Sequence, residues 1–297
     1  MEGSNKLKID FVKRMFEADL TSKEFDFLMY LALRQDNKGV VRGVYYKAAC
    51  EKINMSYPEF YEVMRSLNEK GLISLEKNNR IDWDITLIDN RFDYDEAFRE
   101  GYLKVTCMFE NKSFLDMKAG AKLLALDFLR LSAASRASVK IKKRTLCEKY
   151  CRKLKVQNRM LWEYMKQIRR FFAIYLKDGL FYITPFKASR ERAGIGSETD
   201  NCHEHFIKAI CRRNQVKEDR ENKRNLKSVR ELINQYKQPC IERGERIERI
   251  IEYSIKVSID MINRNIKKKK DWLRELRPKL IHRLIRQTLK IDSMLEF

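Results

Sequence analysis

The stretch SYPEFYEVMRSLNEKGLISL, residues 56–75, contains the start, the body and the end of a helix together with the strand that follows it. Ser56 and Glu59 have the spacing of a capping box, in which the two side chains satisfy backbone N–H groups at a helix N-terminus. An apolar face at helical spacing follows, formed by Phe60, Met64 and Leu67. Gly71 supplies the left-handed residue that ends a helix, and residues 72–75 have the composition of a strand.

Helices and a strand are also predicted upstream of this stretch. Thr21 and Glu24 form a second capping box, which opens a helix that Asn37-Lys38-Gly39 ends. Val40 to Tyr45 fits a short strand, and Lys47 to Ile53 fits a brief second helix.

A β-hairpin is predicted downstream, with its second strand at residues 81–88 and its turn at Asn78-Asn79. In that second strand Trp83, Ile85 and Leu87 alternate with Asp82, Asp84 and Thr86. Two pairs of carboxylates could in principle hold the Mg²⁺ of a nuclease, namely Asp82 with Asp84 and Asp93 with Asp95. Because of the alternation, we interpret Asp82 and Asp84 instead as the solvent face of the strand.

Helix, short strand, helix, turn, helix and hairpin is the element order of a winged helix, and residues 20–90 resemble that family of DNA-binding domains. The step Lys70-Gly71-Leu72-Ile73, after Leu67, is the part that most resembles it. We name residues 20–90 the first repeat.

The same order of elements recurs over residues 121–184, which we name the second repeat. It comprises a helix at 121–131, a strand at 139–141, a helix at 145–154, a long third helix at 158–176 and a strand entered through Asp178-Gly179. Cys50-Glu51-Lys52 and Cys147-Glu148-Lys149 occupy corresponding places in the two repeats. We interpret the pattern as an internal duplication of fold.

Helical stripes fill the rest of the chain. They are formed by Leu226, Val229, Ile233 and Tyr236, by Ile247, Ile250, Ser254, Val257 and Met261, and by Leu276, Leu280 and Leu284. Pro239 and Pro278 are predicted to start or break helices. The fold class is therefore mainly α with small β-hairpins (α+β), with winged helices at 1–100 and 101–196 and a helical C-terminal domain at 197–297.

The charge is unevenly distributed. The net charge is +21, which attracts polyanions such as nucleic acid or acidic lipid. Residues 1–100 carry 16 basic and 19 acidic side chains, residues 101–196 carry 22 and 7, and residues 197–297 carry 25 and 16. The middle third is therefore the predicted electrostatic footprint.

Enzyme signatures are weak. No Gly-Lys-Ser/Thr loop for nucleotide phosphates occurs. Cys202-His203-Glu204-His205 with Cys211 has zinc-ligand types but no defined fourth ligand, so we interpret it as the start of a solvated helix. We predict no enzyme, no metal and no cofactor.

The location of the protein follows from its cysteines and its apolar runs. The seven scattered cysteines favour reduced thiols. The sequence contains no apolar run long enough to cross a membrane. Residues Met1 to Lys13 lack the apolar core of a signal peptide. We expect a cytoplasmic, nucleoid-associated protein.

The third helix of the second repeat is the predicted reading helix, because this helix of a helix-turn-helix lies in the major groove. Its buried row would be Leu161, Met165, Ile168, Phe172 and Leu176, and its outer row Arg159, Glu163, Lys166 and Arg170. Arginine side chains can recognise guanine, and asparagine or glutamine side chains can recognise adenine. Flanking lysines can bind phosphates. The predicted DNA-binding residues are Lys140, Lys142, Lys143, Arg144, Arg152, Lys153, Lys155, Gln157, Asn158, Arg159, Trp162, Lys166, Arg169, Arg170, Lys187, Arg190 and Arg192.

The first repeat differs in charge. Its third helix carries Glu59, Glu62, Arg65 and Glu69, and carboxylates repel a phosphate-lined groove. We predict that the first repeat mediates protein contact or dimerisation. The alternative is that both repeats bind DNA, with Lys77 and Arg80 reaching the backbone.

An acidic first winged helix followed by a basic second one is similar in architecture to plasmid replication initiators with tandem winged helices. The resemblance implies binding to repeated sites near an origin and control of the protein's own gene. We expect a sequence-specific double-stranded DNA-binding protein, a transcription regulator or replication initiator, that acts as a homodimer. The alternatives are a structural or adaptor protein that binds nucleic acid or anionic lipid nonspecifically, and a DNA-processing enzyme.

Overall fold

The structure is a computed structural model that describes residues 4–77, 82–99, 101–135, 138–187, 198–217, 219–264 and 273–291. The helices are α1 (Ile9–Glu17), α2 (Ser22–Ala32), α3 (Tyr46–Ile53), α4 (Tyr57–Glu69), α5 (Lys112–Leu115), α6 (Ala119–Ser135), α7 (Lys143–Leu154), α8 (Asn158–Ile168), α9 (Glu198–Arg213), α10 (Arg220–Glu242), α11 (Ile247–Arg264) and α12 (Pro278–Thr288). The strands are β1 (Lys6–Lys8), β2 (Val40–Val44), β3 (Ile73–Lys77), β4 (Trp83–Leu87), β5 (Tyr102–Lys104), β6 (Val139–Lys142), β7 (Phe172–Lys177) and β8 (Leu180–Pro185). The protein is mainly helical with small antiparallel sheets, as the sequence predicts.

Both predicted capping boxes of the first repeat are present. The Thr21 hydroxyl accepts a bond from the Glu24 backbone and the Glu24 carboxylate accepts one from the Thr21 backbone, which starts α2. Ser56 and Glu59 start α4 in the same way. Gly71 has a φ of +67°, the left-handed conformation that ends α4 and turns the chain into β3. The predicted Asn78-Asn79 turn lies outside the described residues.

The two repeats have the same element order and the same sheet order. Helix, strand, helix, helix, strand and strand occur as α2 to β4 and again as α6 to β8. The antiparallel sheets have the strand orders β2-β4-β3 and β6-β8-β7, so the last strand is central in each. The strand between the first two helices is therefore paired with the final strand of its own repeat.

The predicted long third helix of the second repeat is wrong at its C-terminal end. The helix α8 ends at Ile168, and Phe172 to Lys177 form strand β7, which pairs with β8. Asp178 and Gly179 both have positive φ and form the two-residue turn between these strands. Leu176 is therefore 51% exposed near the hairpin tip, and it does not belong to the buried row of a helix.

The two Cys-Glu-Lys tripeptides correspond when their positions are compared from the helix start, but not when they are compared from the helix end. Cys50 and Cys147 are each the fifth residue of their helix, α3 or α7. At the helix ends, however, the left-handed residues are Asn54 and Lys155, and these lie four positions after Cys50 and Cys151. The helix α7 is one turn longer than α3, so the tripeptides do not both align with the turn that follows.

One hydrophobic core extends through both repeats. It includes Phe25 and Leu28 of α2, Leu124 and Phe128 of α6, and Leu161 of α8. Antiparallel pairing of β1 with β5 connects the start of the chain to the segment between the repeats, and neither strand was predicted. The first helices of the repeats, α2 and α6, therefore pack against each other inside the protein.

The C-terminal helices enclose a second core. Its residues include Ile207 of α9, Val229 and Ile233 of α10, Ile255 of α11 and Ile281 of α12. The predicted helical character is confirmed, and so is Pro278 as a helix start.

Several details of the C-terminal prediction are wrong. Pro239 lies inside α10, where it neither starts nor breaks the helix. In the predicted stripe of α11, Met261 is 38% exposed, whereas Ile259 and Ile262 are buried.

The predicted solvent face of β4 is also wrong, because α9 covers it. Asp82 is fully buried and accepts hydrogen bonds from the Arg213 guanidinium of α9 at 3.0 to 3.3 Å. Asp84 lies 3.6 Å from the same guanidinium and accepts a bond from the Gly43 backbone at 2.7 Å. At Gly43, with φ of +70°, an added Cβ would lie 2.2 Å from the Ala209 Cβ, so α9 lies directly on β2.

Within the described ranges, no helix combines the length and the apolar character needed to cross a membrane.

Candidate nucleic-acid interface

Helix α8 is positioned by a tight turn after α7. Only Lys155, Val156 and Gln157 separate the two helices, and Lys155 takes the left-handed conformation with φ of +52°. The Val156 backbone then donates to the Cys151 carbonyl at 3.0 Å, which closes the turn. The helices α7 and α8 are therefore joined by a three-residue turn.

The outer row of α8 is exposed as predicted. Leu161, Tyr164, Met165 and Ile168 form the buried face. Arg159, Glu163 and Lys166 are exposed on the opposite side, and Arg170 follows just after the helix end. Lys166 lies 2.8 Å from Glu163, and this hydrogen bond lowers the pKa of Glu163. Glu163 partly offsets the positive charge of the row.

Trp162 connects α8 with the β7–β8 hairpin. Its ring lies 5.7 Å from the Phe181 ring of β8, and the Lys143 ammonium lies 6.0 Å from the Trp162 ring. The Lys143 backbone donates to the Gly179 carbonyl in the hairpin turn at 3.1 Å. The start of α7, the hairpin and α8 therefore meet around this tryptophan, which is only partly exposed.

Most of the other predicted contacts are exposed around this region. They are Lys140, Lys142, Lys143, Arg144, Arg152, Lys155, Gln157, Asn158, Arg169 and Lys187. Arg144 is 2.7 Å from Glu148, and Lys155 is 3.1 Å from Asp19. Exposed ion pairs of this kind contribute little to stability, so a phosphate can replace their carboxylates at low cost. Arg190 and Arg192 lie outside the described residues.

Lys153 has a different environment from the other predicted contacts. Its ammonium lies 3.2 Å from the buried carboxylate of Asp127 and 3.6 Å from the centre of the Phe16 ring. Burial raises the pKa of Asp127, but Lys153, Tyr150 and Arg130 together outweigh it, so this pKa is lowered. Lys153 is therefore half-buried and paired with an internal carboxylate, unlike the exposed lysines around it.

Sequence reasoning missed a shallow cleft beside α8. A concavity of about 500 Å³ is lined by Lys118, Gln157, Arg159, Met160 and Gln167, among others. The exposed Lys118 is held there because its backbone donates to the Gln167 side chain at 3.1 Å. Lys118 comes from the loop before α6, 49 positions from Gln167, so only the packing of the segment that precedes α6 against α8 reveals it.

The equivalent helix of the first repeat, α4, has an acidic and aromatic surface. Glu62, Arg65 and Glu69 are exposed on α4. Successive ring centres along a row of four tyrosines are 4.8 to 5.0 Å apart, and the row consists of Tyr45, Tyr46, Tyr57 and Tyr61. Tyr57 is 54% exposed. The two repeats therefore present different chemistry at the same structural position.

The cluster at Cys202 to His205 lies in α9, and its residues do not form a solvated helix start. Cys202 and His203 are buried, and the His205 ring lies 6.4 Å from the Tyr30 ring of the first repeat. Burial lowers the pKa of His205 well below its ordinary value. Among the residues that the structure describes, no three His, Cys, Asp or Glu side chains come together in a way that could hold a metal ion.

Comparison of the chain with protein-family models, with curated proteins and with solved structures gives no match.

Proposed function

We propose that this chain is a sequence-specific double-stranded DNA-binding protein built from two winged helices, and that α8 of the second one reads the DNA. The observation that carries the proposal is the repetition of one element order and one sheet order, with a row of exposed cations on the third helix of the second repeat only. In a helix-turn-helix this helix enters the major groove.

The residues around α8 divide into two roles. Arg159, Lys166 and Arg170 project from the side opposite the core, where base edges would lie. Lys142, Lys143, Arg144 and Arg152 flank the helix and would bind phosphates. If about six phosphates are neutralised, the logarithm of the binding constant falls with the logarithm of salt concentration at a slope near −5.

The first repeat is proposed as the site of dimerisation or of contact with another protein. Its exposed carboxylates Glu62 and Glu69 repel phosphates, whereas tyrosines such as Tyr57 are enriched at protein interfaces. This arrangement also supports the second candidate, an adaptor whose first repeat binds protein and whose basic second repeat binds nucleic acid without sequence preference. A transcription regulator and a replication initiator would both use the primary arrangement.

The test is a binding-site selection from random duplexes followed by gel-shift titration at two salt concentrations. The triple variant Arg159→Ala, Lys166→Ala, Arg170→Ala is expected to lose discrimination between the selected and a scrambled duplex. Each good base contact contributes about 1 to 3 kcal/mol, so the loss should exceed tenfold.

A control variant removes the same number of exposed cations elsewhere, by Arg65→Ala, Arg249→Ala and Lys256→Ala. It should keep the discrimination. If selection yields no preferred site, the adaptor function is favoured. If the α8 variant discriminates like the wild type, α8 is not the reading helix.

A further inference from the structure

The two three-stranded sheets differ in what covers their outer faces, which point away from the helices of their own repeat. The outer face of the first sheet carries acids, and α9 lies on it through Arg213 and Ala209. In the second sheet, the side chains that point to the same side include Lys140 and Lys142 of β6, Leu180 and Tyr182 of β8, and Tyr175 and Lys177 of β7. None of these six side chains is buried, and four of them are exposed to solvent.

Strand register aligns these side chains in rows across the sheet. Lys140 pairs with Tyr182, and Tyr182 pairs with Tyr175, so the three lie side by side. In the next row toward the hairpin tip, Lys142 pairs with Leu180 and Leu180 with Lys177. Three lysines therefore lie beside two tyrosines on one face of the sheet, and the nearest acid along the chain is Asp178 in the turn.

The tyrosines form a stack with one open end. The rings of Tyr175 and Tyr182 are parallel within 2°, with centres 5.0 Å apart. The Lys140 ammonium lies 5.5 Å from the Tyr182 ring centre. Since β7 is an edge strand, the second ring face of Tyr175 looks outward at the sheet edge, and Tyr175 is 52% exposed. A further flat ring can extend the stack there.

We propose that this face binds single-stranded nucleic acid, with a base stacked on Tyr175 and the phosphates beside Lys140, Lys142 and Lys177. Aromatic side chains interleaved with cations on a sheet are the usual platform for unpaired bases. A duplex does not fit this site, because its bases are stacked on one another and offer no ring face at the side. The lysines give charge complementarity with the phosphates.

The stacking surface of Tyr175 is separate from the duplex contacts proposed around α8, whereas Lys142 lies at the boundary and is available to the phosphates of either ligand. Tyr175 lies on the hairpin, and its side chain points to the face of the sheet opposite to that of Phe181, which contacts Trp162. One repeat would then hold a duplex and an adjacent unpaired strand at the same time. The single-strand site stands or fails independently of sequence-specific reading by α8.

The test measures fluorescence anisotropy of a labelled oligothymidylate of about 12 nucleotides, the length scale of single-strand sites on small domains. Tyr175→Ala is expected to bind it about 5- to 150-fold more weakly, the range for loss of one base–aromatic stack. Tyr175→Phe keeps the ring and should bind within about twofold of the wild type. An oligouridylate of equal length shows whether the site prefers DNA or RNA. Binding of either oligonucleotide that Tyr175→Ala weakens supports the site.

Tyr253→Ala is the matched control, because Tyr253 is 54% exposed on α11 and far in sequence from the sheet. It should bind like the wild type. The α8 triple variant should retain oligothymidylate binding, and Tyr175→Ala should retain discrimination between duplexes. The proposal is overturned if Tyr175→Ala binds the oligonucleotide normally, if Tyr175→Phe is as weak as Tyr175→Ala, or if only duplex or anionic vesicles bind.

Discussion

The Lys122→Met substitution tests the contact that joins the first helices of the two repeats. Lys122 of α6 and Asp26 of α2 are both fully buried, and the ammonium lies 2.6 and 2.7 Å from the two carboxylate oxygens. The ammonium also donates to the Ser22 hydroxyl at 2.7 Å and to the Leu115 carbonyl at 2.9 Å. Methionine keeps much of the apolar length of lysine but removes the charge, so Asp26 loses its buried counter-ion.

The size of the effect has two limits. Removing one partner of a buried ion pair costs roughly 3 to 5 kcal/mol. Asp26 can escape the unpaired charge by binding a proton, and from its pKa of about 6 in the folded wild type this costs only about 1 kcal/mol at pH 7. We therefore expect the free energy of unfolding to fall by about 1 to 4 kcal/mol at pH 7, with the smaller value if Asp26 takes up a proton.

The loss should shrink in acid. Burial raises the pKa of Asp26 to about 6 even beside Lys122. An acid with a higher pKa in the folded state stabilises the fold as pH falls through that pKa toward the unfolded value. Without Lys122 the pKa of Asp26 rises further. As pH falls, the free energy of unfolding of the variant therefore begins to increase at a higher pH than that of the wild type, and it increases by a larger amount. Between pH 7 and pH 5 the difference in unfolding free energy from the wild type should shrink by about 1 kcal/mol.

Urea unfolding followed by tryptophan fluorescence and circular dichroism at both pH values measures the effect. Lys13→Met is the matched control, since Lys13 and Asp10 are also 2.7 Å apart but both are well exposed, and it should leave the free energy of unfolding almost unchanged. The double variant Asp26→Leu, Lys122→Met removes both charges and should recover most of the loss. Equal stability of Lys122→Met and Lys13→Met at pH 7, or a gap that widens in acid, would refute the reasoning.

Two further predictions concern glycines. Gly43→Ala should destabilise the protein by about 1 to 3 kcal/mol more than Gly179→Ala in urea unfolding, because both have positive φ but only Gly43 would meet the Ala209 Cβ, at 2.2 Å. Equal losses would show that α9 does not lie tightly on β2. Gly120→Ala should lower the thermal midpoint although alanine favours helix by about 1 kcal/mol, because its Cβ would lie 2.2 Å from the buried Tyr164 ring. A higher midpoint would mean that helix propensity outweighs the contact between α6 and α8.

Local signals predicted most of the elements. The capping boxes at Thr21 and Ser56 and the stop at Gly71 fix helix ends through backbone hydrogen bonds, which depend on neighbouring residues only. The third helix of the second repeat was overextended because no glycine marks its end. Phe172 and Leu176 continue the helical spacing after Ile168, yet the same residues also alternate as in a strand.

The Asp178-Gly179 pair is a strong hairpin signal when apolar residues alternate on both sides, and it resolves that ambiguity in favour of β7. Local sequence signals of this kind could not predict that α9 covers Asp82. Its partner, Arg213, is 131 positions away, and alternation alone cannot distinguish a solvated carboxylate from one paired with a distant guanidinium. The ion pair of Lys153 with the buried Asp127 could not be predicted for the same reason, because Asp127 precedes it by 26 positions on another helix.

The difference between the repeats extends from their third helices to their sheets. Where the first sheet has Asp82 and Asp84 under α9, the second has Tyr175, Tyr182 and surrounding lysines that no described helix covers. Covering the second sheet with a helix like α9 would bury its lysines without the carboxylates that satisfy Arg213, at a cost of several kcal/mol per unpaired charge. The acidic sheet, and not the cationic one, therefore provides the partners that Arg213 of α9 needs, and among the described residues the outer face of the cationic sheet stays accessible to the ligand proposed above.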